Sequence, residues 1–322
     1  MLCLSSFGRY RPTYQDNTGE SKYPMFSLAV SIPYDDKKKE YDISQVTNSM
    51  FDSPATVKNS ILKCKVYRGT RVVAATVLKW PNVLDQCPDE EVQWSIVRGN
   101  CNKKPKTWAD LKTECPNVVY RADHAEYRVL ENFDTLKNQN KNDFLLFYVL
   151  ASPCGDKCTA INTAGSILKS IKQIMKWKSY ALVFSDVFQP LGDIVVTEED
   201  RKGALQRLGT SIGLKNIYRV TDSRCSRCSM SDNDDVIRFC YTDEPQPGPS
   251  HNKPSASNIQ PPRGRSDSPS RSGQGEKDQN NKINKNAGVS TNVGRNSGGV
   301  VGQGDSGGGE GGWMTPKKRK GK

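Results

Sequence analysis

His124-Ala125-Glu126, followed 26 residues later by Pro153-Cys154-Gly155-Asp156-Lys157-Cys158, organises the reading of this chain. One imidazole and two thiols suit a zinc ion, and a carboxylate two residues past the imidazole suits proton transfer to and from a metal-activated water. Residues 1–244 hold no other histidine, so an imidazole ligand in that region is His124 or none. A catalytic zinc takes three protein ligands and leaves a fourth position for water. His124, Cys154 and Cys158 fill that count, and Glu126 is left over as the acid and base.

The surroundings of the motif predict layered secondary structure. Asp123 reads as the N-cap of a helix over residues 124–137, with Val129, Leu130, Phe133 and Leu136 on one face. Residues 144–151 (FLLFYVLA) form a continuous apolar run, as in a strand covered on both faces. Residues 154–177 read as a long helix, which puts Cys154 and Cys158 one turn apart at its start, where the helix dipole favours thiolates. Residues 180–184 read as another buried strand. Thr197 and Asp200 open a capping box for a helix over 197–212. Residues 217–221 and 236–241 read as closing strands.

Upstream, residues 25–33 read as a first strand. Residues 61–66 and 71–80 read as a hairpin around Gly69-Thr70. Residues 81–120, rich in Pro, Cys and charge, read as an insertion with a short helix near 108–113. This order implies a mixed sheet packed with helices.

Composition changes at Pro245. Residues 245–322 hold 16 of the 26 glycines, no cysteine and few apolar residues, and read as a disordered tail. They carry 13 Lys/Arg against 5 Asp/Glu, two-thirds of the net charge of +12. Such a tail is drawn to polyanions in a salt-dependent way, unless it serves solubility alone. Lys317, Lys318, Arg319 and Lys320 form a short basic cluster of the nuclear-targeting kind.

Eight cysteines lie outside the motif: Cys3, Cys64, Cys87, Cys101, Cys115, Cys225, Cys228 and Cys240. They suit disulfides in an oxidising compartment. The Cys225-x₂-Cys228 pair with Cys240 reads as disulfides or free thiols in preference to a second zinc site. Residues 1–9 are a poor signal peptide, so a secreted reading needs a leader missing from this chain. The compartment therefore stays open between a nuclear or cytoplasmic life and a secreted one. No run of 18 apolar residues exists, and no membrane span is expected.

The H-x-E and P-C-x₃-C pattern resembles the zinc-dependent cytidine deaminase superfamily, and above all its polynucleotide branch, the AID/APOBEC-like deaminases. The resemblance spans about residues 61–221 and is sharp at 124–126 and 152–158. It implies a three-layer cytidine-deaminase-like α/β fold, a mixed sheet sandwiched by helices. Residues 1–60 would be an N-terminal extension, 61–244 the catalytic domain with its insertion, and 245–322 the tail. It implies a Zn²⁺ cofactor on His124, Cys154 and Cys158, with Glu126 as the catalytic acid and base. Cytosine would become uracil in single-stranded DNA or RNA. Substrate contacts would come from the N–H of Ala125, the C=O of Ser152, and Phe188 in the loop over 185–191. The familiar members carry Ser-Trp where Leu150 and Ala151 stand, and a shorter Cys-x₂-Cys spacing. Two other readings are a deaminase-fold protein that binds nucleic acid without chemistry and a deaminase of free nucleosides.

Overall fold

The computed structural model describes residues 8–101, 103–116, 122–136, 139–190, 195–222 and 224–243, the side chain of Ile96 excepted. The expected tail, with its basic cluster at 317–320, lies outside the described residues.

Seven strands form one mixed sheet. They are β1 (Phe26–Ile32), β2 (Tyr67–Arg68), β3 (Val72–Thr76), β4 (Phe144–Ala151), β5 (Ser179–Asp186), β6 (Ile217–Val220) and β7 (Cys225–Arg227). Their spatial order is β7-β6-β5-β4-β1-β3-β2. β4, β5 and β6 run parallel, and β1 pairs antiparallel with both β4 and β3. β4 is central because both of its faces are covered. Leu145, Phe147 and Val149 enter one core, and Leu146, Tyr148 and Leu150 enter the other. Burying each such aliphatic or aromatic side chain contributes about 1.5–3 kcal/mol.

Helices α1 (Pro54–Leu62), α2 (Trp108–Glu114), α3 (Ala125–Leu130) and α4 (Glu198–Ile212) complete the main elements. α3 and α4 cover one face of the sheet, joined by a 3₁₀ helix over Ser170–Lys176. α1 covers the other face through Val57 and Ile61. The result is the expected three-layer mixed α/β fold. α2 belongs to a smaller core, where Trp94 meets Trp108 edge-on and Val83, Val92 and Leu111 pack around them. This small core draws on Cys64 and Leu78 as well as on residues of the stretch read as an insertion.

Several local expectations are corrected. Residues 61–66 are not a strand. Ser53 accepts from the Thr56 amide and Pro54 takes the first helical position, so the chain enters α1 and carries Ile61 with it. The hairpin survives with Tyr67–Arg68 as its short arm. The predicted 124–137 helix is two pieces, α3 and a 3₁₀ turn at Phe133–Leu136: the Asn132 side chain donates Nδ2 to the carbonyl of Arg128, while its backbone N–H turns to Val129 O. Residues 154–177 are not one helix. Asn162 and Gly165 have φ of 62° and 92°, which no right-handed helix tolerates, and Ile161 is exposed. Only Ser170–Lys176 is helical, and its i, i+3 residues Ile171, Ile174 and then Trp177 reach the core. Residues 236–241 are a 3₁₀ turn at Arg238–Cys240, and the edge strand is β7.

Candidate metal centre

Two segments meet at the C-terminal end of β4. The first enters from a two-residue strand, Ala122–Asp123, paired with Leu78–Lys79. Asp123 is therefore extended and accepts from the Trp94 indole at 2.8 Å. It does not cap α3. His124 occupies the N-cap with φ −68° and ψ 148°, and its ring makes no cap bond. The ring faces the sulfurs instead.

The second segment leaves β4 at Ala151. The Ser152 amide donates to Asp186 O on β5, which fixes the exit of the strand. A single turn follows, closed by the Thr159 amide on Cys154 O and by the Cys158 amide on the Cys154 sulfur. The two cysteines keep their i, i+4 relation, but the turn does not continue as a helix, so an extended helix dipole does not assist their ionisation. The Lys157 ammonium reaches across to Ala122 O at 2.5 Å and ties the two segments together.

His124 Nδ1 lies 3.0 Å from Cys158 Sγ and 3.7 Å from Cys154 Sγ. The three ligand atoms all lie within 4.8 Å of one another. Tetrahedral zinc, with Zn–S of about 2.3 Å and Zn–N of about 2.0–2.1 Å, asks for ligand separations of about 3.6–3.8 Å. The donor set fits such an ion and the His124–Cys154 separation matches it, while His124 and Cys158 stand about 0.6 Å closer than a shared ion asks. Glu126, in the first turn of α3, is 6% exposed. Burial pushes its carboxyl above the ordinary range, with the nearby His124 opposing. The Cys154 thiol is pushed down to about 5, first by the hydrogen bond from Cys158 and against burial, with His124 assisting. Cys158 is correspondingly pushed up, by that same bond and by burial. Burial lowers the affinity of His124 for a proton, but the Cys154 sulfur and the Glu126 carboxylate raise it further.

Two arginines that the sequence did not single out hold this arrangement. Arg207 of α4 donates Nε to Thr159 O at 2.8 Å and Nη2 to Gly155 O at 3.3 Å, and so grips the cysteine turn. A Cβ at position 155 would sit 3.2 Å from that Nη2, so any larger residue there would press the guanidinium aside by a few tenths of an ångström. Arg128 of α3 is buried and donates to main-chain carbonyls on β3 and on the chain after α1. Burial pushes its pKa down to about 10, which still leaves it charged near neutrality. Neither was legible in advance, because carbonyl acceptors leave no mark on a sequence.

The other predicted contacts are brought to the same region. Ala125 is buried behind His124. Ser152 Oγ accepts from the Phe188 amide at 2.9 Å, so the segment after β5 is fastened to the residue two before Cys154. The Phe188 side chain is half-buried against the core on the metal-centre side of the sheet. Arg219 of β6 braces the same segment, donating to Ser185 O, Phe239 O, Thr242 O and the Asp243 carboxylate.

Six of the eight spare cysteines pair, as Cys64–Cys87, Cys101–Cys115 and Cys228–Cys240. Cys225 is free and half-buried. Cys3 lies outside the described residues. The third disulfide removes two of the three thiols of a second zinc site at Cys225, Cys228 and Cys240. His124, Cys154 and Cys158 are the candidate metal cluster found among the described residues.

Residues 101–244, a little under half of the chain, match the family model described as Secreted Novel AID/APOBEC-like Deaminase 1. The matched stretch takes in α2, α3, the cysteine turn, β4 to β7 and α4. It supports the AID/APOBEC-like deaminase family, and with it a deaminase built around the His-Cys-Cys cluster. No curated protein and no solved structure gives a match.

Proposed function

We propose that this protein is a zinc-dependent hydrolytic deaminase that converts cytosine to uracil in single-stranded DNA or RNA. The observation that carries the reading is the buried Glu126 carboxyl beside a His-Cys-Cys set whose ligand atoms all lie within 4.8 Å of one another. A metal site with a purely structural role has no use for that extra carboxyl group.

His124, Cys154 and Cys158 would hold the zinc, whose Lewis acidity makes water ionisable near neutral pH. Glu126 takes a proton from the attacking water and passes it to the departing amine. The balance is cytosine plus water giving uracil plus ammonia. The raised proton affinity of Glu126 suits a group that must both accept and donate. The Ala125 N–H meets the pyrimidine carbonyl, and the Ser152 C=O accepts from the exocyclic amine. Phe188, whose amide donates to Ser152, would stack on a neighbouring base.

The test is conversion of C to U in single-stranded oligonucleotides, with free cytidine in a parallel assay. Glu126→Gln abolishes turnover and keeps one zinc per chain. An active Glu126→Gln variant overturns the assignment. Turnover of cytidine alone moves the substrate to free nucleosides. Salt-sensitive binding without product from intact, zinc-loaded protein leaves a binding protein in place of an enzyme. Deleting residues 245–322 reduces oligonucleotide affinity and the steepness of its salt dependence. Equal affinity would make the tail a bystander.

The same reading assigns the protein to an oxidising environment. Three disulfides and the word "secreted" in the matched family's description support export. No helix among the described residues is long and apolar enough to cross a membrane.

A further inference from the structure

Arg128 is a charged side chain sealed at 6% exposure, two residues from the Glu126 carboxyl. Its Nη1 donates to Thr76 O at 2.6 Å, and its Nη2 donates to Cys64 O at 2.6 Å and to Gln93 Oε1 at 2.9 Å. Thr76 ends β3, Cys64 follows α1, and Gln93 belongs to the insertion. One guanidinium thus joins three separate parts of the fold to α3. Burying a guanidinium is costly, and an apolar side chain would fill the same space at less cost. Only a planar group with several donors joins all three acceptors at once.

α3 has six residues and cannot hold its own orientation. Arg128 and Glu126 are two residues apart, so their side chains leave α3 on nearly opposite sides. The Arg128 amide also donates back to the carbonyl of His124 at 3.1 Å. Anchoring Arg128 therefore sets both the rotation of Glu126 and the position of the ligand His124.

The Cys64 acceptor is itself braced. Its φ is 56°, in the left-handed region that a cysteine adopts only under constraint. Its carbonyl accepts a second donor, Gln93 Nε2, at 2.6 Å. Cys64 stands just past the end of α1, and its disulfide to Cys87 ties that end to the chain around Cys87.

We propose that Arg128 is a positioning residue for the metal centre, and that the Cys64–Cys87 disulfide is the fixed point against which it works. The folded insertion then serves to orient His124 and Glu126 from behind, through one guanidinium. This rests on the reading of His124, Cys154 and Cys158 as a metal centre.

The experiment uses the full-length oxidised chain, with Arg128→Met, Arg128→Lys and the double variant Cys64→Ser/Cys87→Ser. Zinc affinity is measured by competition with a chromophoric chelator. Ligand geometry is read from the visible spectrum of the cobalt-substituted protein. Arg128→Met is expected to weaken zinc binding by about tenfold or more, as loss of an outer-layer partner does, and to shift the cobalt bands. Arg128→Lys does not restore them, because an ammonium lacks the fork. The double cysteine variant shifts the bands in the same direction, and this arm decides the question if the arginine variants do not fold. Wild-type spectrum and affinity in a folded Arg128→Met or in the double variant overturn the brace alone. Wild-type protein that takes up neither zinc nor cobalt overturns the metal centre, and the brace with it.

Discussion

At the scale of single residues, the groups of the candidate metal centre and the groups that hold them in place differ in how visible they are. His124, Glu126, Cys154 and Cys158 announce themselves because their chemistry is rare and their spacing is local. Arg207 does not, although it donates to two carbonyls of the cysteine turn. Its acceptors are Thr159 O and Gly155 O, about fifty positions away, and any residue type supplies a carbonyl. Replacing Arg207 by Met removes both bonds and leaves two acceptors of the turn without this partner. The expected cost is about 1–3 kcal/mol of stability, measured by urea denaturation of the zinc-free protein. The turn should also bind zinc more weakly. Unchanged zinc affinity in a folded Arg207→Met variant would show that the turn orders itself.

At the scale of elements, what was readable is what is written locally. The strand at Phe144–Ala151 follows from an unbroken apolar run, and α4 follows from its first four residues. In α4 the Thr197 hydroxyl accepts from the Asp200 amide, and the Asp200 carboxylate accepts from the Thr197 amide. Thr197→Ala removes half of that exchange and should cost about 1 kcal/mol, seen as a lower urea midpoint with an unchanged slope. The misread element, 154–177, had apolar residues near helical spacing but no end signals. Its break lies at Asn162 and Gly165, where positive φ ends any right-handed helix. Only over Ser170–Lys176 is the spacing helical, a 3₁₀ turn that brings Ile171, Ile174 and then Trp177 to the core, while Ile161 is exposed. Gly165→Ala tests this directly. A side chain at φ 92° is strained, so a loss of about 1 kcal/mol is expected. A helix through this position would gain stability from the same change.

For the whole molecule, the described cysteines form two populations, disulfide-bonded and metal-facing, with Cys225 outside both. Six are committed to disulfides, two face His124, and Cys225 stands alone on the edge of the sheet. Count and spacing raised disulfides without giving their pairing, since pairing depends on which loops the sheet brings together. Each bridge closes a short loop, with sequence separations of 23, 14 and 12, and each is worth about 2–4 kcal/mol. A zinc ion at the proposed centre would add to native stability by binding the folded chain alone. Differential alkylation of unreduced protein, read by mass spectrometry, separates the two populations. Among the described residues, only Cys225 should be modified while zinc is bound. After chelation, Cys154 and Cys158 should become reactive, and the melting temperature should fall because the metal's contribution is gone. Reduction should then expose the remaining six and lower stability much further. Modification of Cys64, Cys87, Cys101, Cys115, Cys228 or Cys240 in protein recovered unreduced from its own cell would mean that those thiols never paired. It would remove the ground for an oxidising compartment and the fixed point behind Arg128 together. Protection of Cys154 and Cys158 that survives exhaustive chelation would mean that something other than a metal ion shields them.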